Sequence, residues 1–216
     1  MNKKTFLRNK TNERYSSRYK KTNNKIKALG WGSLEHQEER FKQILRLLPK
    51  NIEALIDIGC GFGDFYEYIF KSKTIINRYI GWDINEDFIK YAKNKYKNEK
   101  NVKFYNKDIL DVKLRKPVAK HGILIGMLNF NWKGNVDNLK LNRTVISKAF
   151  SIIEESLIVD FISIYRSKKY PKEDQIFYND PSEILKYCLS ITSNVQLIHD
   201  YNPIPQKEFM VLLKKK

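Results

Sequence analysis

Leu55-Ile56-Asp57-Ile58-Gly59-Cys60-Gly61-Phe62-Gly63-Asp64 changes character halfway along. Its first four residues are apolar but for one acid, as in a buried strand, and glycine then occupies every second position. Phe65-Tyr66-Glu67-Tyr68-Ile69-Phe70 follows at once and reads as a helix. A strand that feeds a glycine loop and a helix N-terminus lets a ligand approach the backbone closely, because no Cβ stands in the way. The spacing is not that of a dinucleotide fingerprint, G-x-G-x-x-G, because Asp64 occupies the place of the third glycine.

The pattern extends to both sides. Upstream, Ser33 is a candidate N-cap with Glu35 in the first turn, Leu34, Phe41, Ile44, Leu45 and Leu48 make one apolar stripe, and Pro49 ends the helix. Residues 1 to about 12 are polar and charged and are expected to be disordered. A basic segment over 12–28 with Tyr15 and Tyr19 is expected to be helical, broken by Leu29-Gly30-Trp31-Gly32. Downstream, strands are predicted at 54–58, 78–83, 101–106, 122–128 and 156–162, with helices to about 71, after Asn85, and over 138–152. Glu86 and Asp87 open the helix after Asn85 and Lys93, Lys95 and Lys97 close it, an order that complements the helix dipole. An irregular connection over 163–180 carries Tyr165, Tyr170, Pro171, Phe177 and Tyr178, and a helix at 182–190 follows. Strands at 195–199 and 209–213 are joined by a link too short for a helical crossover, so they run antiparallel. The alternation predicts one doubly wound, Rossmann-like α/β domain: a seven-stranded sheet with an antiparallel last strand, plus an N-terminal helical segment. The chain divides into a basic segment and cap helix over 1–50 and a ligand-binding domain over 51–216.

At 216 residues and 42% hydrophobic the chain is about one domain with a substantial core. It has no run of apolar residues long enough for a membrane helix and no signal-peptide pattern, which makes the cytoplasm the expected location. Cys60 and Cys188 are too far apart in sequence to suggest a disulfide framework or a zinc site, and no metal is expected. The net charge of +17 points to a polyanionic partner if the charge is clustered. It does cluster at the N-terminus, where Lys3, Lys4, Arg8, Lys10, Arg14, Arg18, Lys20, Lys21, Lys25 and Lys27 face Glu13 alone. Elsewhere lysine is dispersed, as on a solvated surface.

Asp57-x-Gly59-x-Gly61-x-Gly63 resembles the first motif of the class I S-adenosylmethionine (SAM) methyltransferases, and three further positions match in register. The resemblance implies that Asp83, with Ile84 after it, accepts the ribose hydroxyls. It implies that Asp108 and Ile109 meet the adenine, and that Ile125-Gly126-Met127, ending the fourth strand, meets the methionyl part. Cys60 lies inside the loop and fills space. SAM is then the cofactor and S-adenosylhomocysteine the product. The flanks are similar to a group of small bacterial methyltransferases, many encoded among genes for secondary metabolites or surface glycans. The shared features are Gly30-Trp31-Gly32-Ser33 with Gln37 and Arg40-Phe41, Phe177-Tyr178-Asn179-Asp180-Pro181, and His199-Asp200-Tyr201 with Glu208-Phe209.

Methyl transfer from a sulfonium is an in-line displacement, so alignment and exclusion of water dominate, and a neutral acceptor also needs a base. His121 opens the fourth strand at the wrong edge of the sheet and His36 sits on the upstream helix. His199, ending the sixth strand, is the candidate base. Asn129 and Trp132 follow the fourth strand, where acceptors enter. Leu128-Asn129-Phe130-Asn131 is not the Asn/Asp-Pro-Pro-Tyr/Phe motif that holds planar amide nitrogens, and no Pro-Cys occurs for a cytosine adduct. Arg40 is a candidate partner of the cofactor carboxylate, with Gln37 on the same helix. Trp31, Tyr15, Tyr19 and Tyr178 are candidates for an aromatic lid. The expected acceptor is a metabolite, free or nucleotide- or sugar-linked, methylated on an oxygen or phosphate-type group. The alternatives are RNA held by the basic N-terminus and a SAM-fold binding protein without catalysis. Oligomeric state is not legible.

Overall fold

A computed structural model describes residues 3–22, 24–113, 116–166, 168, 171–201 and 207–216. The first part of the chain comprises α1 (Lys3–Thr22), α2 (Lys25–Leu29), α3 (Leu34–Leu47), β1 (Asn51–Ile52), β2 (Leu55–Ile58), α4 (Asp64–Lys71), β3 (Ile75–Ile76), β4 (Tyr79–Asp83) and α5 (Glu86–Lys95). The second comprises β5 (Val102–Asn106), β6 (Ala119–Leu124), α6 (Asn138–Ser151), β7 (Ile153–Ile162), α7 (Pro181–Ile191), β8 (Val195–Ile198) and β9 (Glu208–Lys214).

Seven strands form the main sheet in the order β5-β4-β2-β6-β7-β9-β8, and β1 pairs with β3 in a separate two-stranded ribbon. The five strands from β5 to β7 are parallel, and β9 is antiparallel to both β7 and β8. This is the doubly wound, Rossmann-like sheet with an antiparallel last strand expected from the sequence. Alternate residues of each strand face opposite helical layers. Leu55, Tyr79, Ile123 and Ile158 pack under α3, α4 and α5, while Ile56, Ile80, Leu157 and Val159 pack under α6 and α7. The central strands are buried on both faces, which is why they read as continuous apolar runs.

Two expectations change, and one pairing is added. Residues 3–12 belong to α1 rather than to a disordered tail, because α1 docks its Leu7 against the body of the protein. The fourth strand ends at Leu124, not at 128, because Gly126 turns the chain at φ 68° and its N–H donates to the Asp160 carboxylate instead of to the backbone of a neighbouring strand. The two-residue ribbon of β1 and β3 is a pairing that the sequence does not signal. Tyr170, residues 1–2 and the link at 202–206 lie outside the described residues. Among those described, no helix is long and apolar enough to cross a membrane.

Candidate functional site

Strand order reverses between β2 and β6, and a cavity opens outside their carboxyl ends, the usual position for a ligand in such a sheet. Its floor is the glycine loop. Gly59 has φ +82°, and a Cβ there would stand 3.1 Å from the Met127 sulfur, so the turn out of β2 passes beneath the turn after β6 only as glycine. The N–H groups of Gly59 and Cys60 both donate to the Trp82 carbonyl, at 2.7 and 3.0 Å. Gly61 N–H donates to Asp83 at 2.9 Å, and Gly63 caps α4 in the left-handed region. The Cys60 thiol is buried and its pKa is pushed well above the ordinary value, chiefly by desolvation, so it is inert filling.

Four carboxylates line the cavity: Asp57, Asp64, Asp83 and Asp108. Asp83 ends β4 and accepts from Gly61 N–H on one oxygen and from Asn85 N–H, at 2.8 Å, on the other. Burial still pushes its pKa up. Asp57 accepts from the Tyr79 hydroxyl at 2.5 Å and is pushed to about 7, by burial first and by the nearby Asp83 and Asp64 charges. Asp64 is raised by burial and accepts from Gln37 at 3.4 Å. Asp108 accepts from Leu110 N–H at 2.8 Å, shaping the short turn that presents Ile109 to the cavity beside Ile84. Lys107 stacks its ammonium 4.3 Å over the Trp82 ring at the same end.

The roof is α1. Leu7, Arg8, Thr11, Arg14 and Tyr15 recur at helical spacing and all line the cavity. Arg8 bridges to Asp108 at 3.2 Å and to Asp111, and Lys4 reaches Asp111 at 2.9 Å. Ser16 accepts from the Asn85 amide at 2.9 Å, and Tyr15 packs on Phe88. Trp31, after the Gly30 cap of α2, closes one wall. Its ring lies where a Cβ on Gly126 would be, 2.6 Å away, and Gly126 has φ +68°. Phe130 and Trp132 form the opposite wall, edge to face at 4.8 Å.

The sequence-derived site residues therefore separate into two groups. Asp57, Gly59, Cys60, Gly61, Asp83, Ile84, Asp108, Ile109, Gly126, Met127, Gln37, Trp31, Trp132 and Tyr15 line one cavity, with Gly63 directly behind the loop. Five others are placed elsewhere. Arg40 is spent inside the protein. Its guanidinium bonds Glu208, approaches Asp160 at 3.8 Å and donates to the His36 carbonyl at 2.5 Å, so it is not available for a cofactor carboxylate. Asn129 is buried in a network, accepting from Ile162 N–H at 2.8 Å and from Asn179 at 3.3 Å, which is a loop-fastening role rather than acceptor binding. Tyr178 accepts from Glu173 N–H within its own connection. Tyr19 packs on Phe62 and Phe88, fixing α1 to the glycine loop from outside the cavity.

His199 follows β8, which does run parallel to β2, but β8 is the outermost strand. Three strand spacings, about 14 Å, separate it from β6. Its ring lies against Phe209 and Tyr165 and lines no part of the cavity. Asn in its place is accordingly expected to leave turnover within about twofold, or about 0.4 kcal/mol in the barrier. A loss of tenfold or more in steady-state rate would return His199 to the chemistry.

The sequence left two contributions unread. The face of α1 carrying residues 7, 8, 11, 14 and 15 shows helical periodicity that a disordered tail would not need. Asp160, an acid in the middle of a buried strand, signals a paired charge. Its carboxylate takes Gly126 N–H at 2.6 Å and thereby sets the turn on which Met127 sits.

Residues 55–141 match a family model described as "Methyltransferase domain". The chain is similar in structure to the magnesium protoporphyrin IX methyltransferase of Synechocystis PCC 6803 with bound SAH. That match has TM-score 0.67 and 13% identity over 99% of this chain and 100% of that one. It is also similar to a DhpI–SAH complex, with TM-score 0.60 and 10% identity over 92% of this chain and 91% of that one. The small RNA methyltransferase HEN1 matches with TM-score 0.64 and 15% identity over 83% of this chain, which corresponds to 25% of that one. No curated protein matches the chain. Residues 55–141 thus match a methyltransferase-domain model, and the chain as a whole shares the fold of these solved structures.

Proposed function

We propose that the protein transfers the methyl group of SAM to an anionic oxygen of a small molecule, in the space between the glycine loop, α1 and the Phe130–Trp132 wall. The observation that carries this is the roof. With α1 lying across the carboxyl edge, the cavity is a roofed, partly open slot suited to a small acceptor rather than a flat track for a polymer.

The residues present fit the donor. Gly59 and Gly61, both at positive φ, bring the loop backbone to the cavity surface, and three acids, Asp57, Asp83 and Asp108, line it where a polyol, a base amine and an ammonium need acceptors. On this reading Asp83 holds the ribose hydroxyls, Asp108 and Ile109 the adenine, Asp57 the ammonium, and the Gly126–Met127 turn the methionyl chain, with Gln37 and Trp31 closing over it. When bound, SAM supplies a methyl group already activated on a sulfonium and leaves as S-adenosylhomocysteine. Trp31, Phe130 and Trp132 exclude water, and orientation of this kind contributes roughly 7–11 kcal/mol in favourable cases. The described lining contains no histidine, and the Tyr15 phenol is raised by burial, so neither offers a base near neutral pH. A carboxylate or phosphate-type oxygen needs none.

RNA is the competing acceptor. Lys4 and Arg8, two of the basic residues that suggested it, are engaged with Asp111 and Asp108 instead. The test is calorimetric titration of the full chain with S-adenosylhomocysteine, NAD and a single-stranded RNA. Saturable binding of the first alone is expected. Salt-dependent RNA binding of comparable strength would favour the polymer.

Asp57 makes the affinity depend on pH. Its carboxyl is held near 7, so at pH 6 it is mostly protonated, and taking up an ammonium beside it must expel a proton. Affinity for SAM is expected to rise from pH 6 to 8 and to fall below 7 by up to about tenfold per pH unit, with proton release seen as a buffer-dependent binding enthalpy. A dissociation constant flat across that range would remove Asp57 from the contact.

A further inference from the structure

We propose that Arg14 is the specificity residue for the acceptor: it holds a carboxylate or phosphate group, with the acceptor's apolar body against Phe130 and Trp132. The inference rests on the methyl-transfer reading above and names the kind of molecule that site takes.

The cavity is polarised. Its carboxylates gather at the glycine loop and the ends of β4 and β5, while Arg14 stands on α1 over the other end. The guanidinium carbon lies 4.3 Å from the Phe130 ring centroid. Trp132 meets Phe130 at right angles, and Phe6, from the same helix as Arg14, packs against Trp132 with ring centroids 6.4 Å apart. A cation on an aromatic wall is a construction for a flat or apolar acid.

Arg14 also lacks what its neighbour has. Arg8, on the same helix, is matched by two aspartates. Among the described residues no carboxylate comes within ion-pair distance of Arg14, and its Nε is buried without a hydrogen-bond partner. Arg18, one turn on, adds a like charge and donates at 3.4 Å to the neutral Gln175. Burial and the Arg18 charge both act against its protonated form, so the site is short of negative charge. A half-buried cation without a counter-charge is costly to keep, and a ligand oxyanion gripped bidentately removes that cost.

The test uses protein saturated with S-adenosylhomocysteine and titrated with benzoate, phenyl phosphate and the neutral benzamide, followed by tryptophan fluorescence and calorimetry. At least one anion is expected to saturate at least tenfold more tightly than benzamide. Arg14→Ala should weaken that anion tenfold or more, and Arg14→Lys should recover part of the loss. Benzoate alone would mark a carboxylate and phenyl phosphate alone a phosphate. If neither anion saturates, if benzamide binds as well, or if Arg14→Ala binds like the parent, the inference is overturned while donor binding stands. Failure of the parent protein to bind S-adenosylhomocysteine would overturn the donor reading, and this inference with it.

Discussion

Replacing Arg40 by alanine is expected to destabilise the protein by about 3–5 kcal/mol, the usual cost of leaving a buried charge without its partner. Arg40 projects from α3 onto the face of the sheet where β7 and β9 pair and faces two carboxylates, Asp160 and Glu208, that are 1% and 0% exposed. Each has one oxygen with no hydrogen-bond partner, so neither has another group to turn to. Burial already pushes Asp160 up to about 6 with the guanidinium present to hold it down. Without Arg40 both acids must take up protons or drag in water. For a chain of this length the loss corresponds to a fall in melting temperature on the order of 10 °C. Combining Arg40→Met with Asp160→Asn and Glu208→Gln should recover most of it, because the uncompensated charge, more than the lost ion pair, is what costs stability. Urea denaturation at neutral pH measures both variants. A loss below about 1 kcal/mol for Arg40→Ala would mean that the triad is solvated and that Arg40 is free for another role.

Asp83→Ala is expected to weaken S-adenosylhomocysteine binding about 100-fold, close to 2.7 kcal/mol. Asp83 acts twice. It ties the Gly61 N–H to the end of β4, fixing the glycine loop against the strand, and on the proposed assignment its remaining lone pairs accept the two ribose hydroxyls. Charge-assisted hydrogen bonds of this sort contribute roughly 1.5–3 kcal/mol each. Asparagine is no conservative replacement, since its amide nitrogen would face the N–H of either Gly61 or Asn85. Asp83→Asn should therefore lose nearly as much affinity as alanine. Calorimetry on variants whose circular dichroism matches the parent distinguishes lost binding from lost fold. A change below about threefold would show that the ribose lies elsewhere.

What could be read from the sequence was what local chemistry determines. The apolar runs at 55–58 and 79–83, the Ser33 and Asn85 helix starts, and glycine at alternate positions are signals carried within a few residues, and the structure has each element there. What escaped depends on contacts distant in sequence. Arg40 as an exposed ligand and Arg40 as a buried counter-ion are the same letter, and only the pairing of β7 with β9 brings Glu208 to it. His199 was placed on the correct edge, but distance across the sheet depends on strand order, which puts β8 outermost. Asn129 lies beside the cavity wall yet turns inward, because Asn142 and Asn179 complete its network from α6 and the 163–180 connection. The disordered reading of residues 3–12 failed because charge density hides a face whose acidic partners, Asp108 and Asp111, lie about 100 residues away.

A crystal structure of the full chain with S-adenosylhomocysteine tests the central claim most directly. The ribose should sit on Asp83 and the adenine beside Asp108 and Ile109. The sulfur should face the part of the cavity bounded by Arg14, Phe130 and Trp132. A ligand bound with its sulfur against closed protein, or with its ribose away from Asp83, would contradict both the donor assignment and the acceptor pocket built on it.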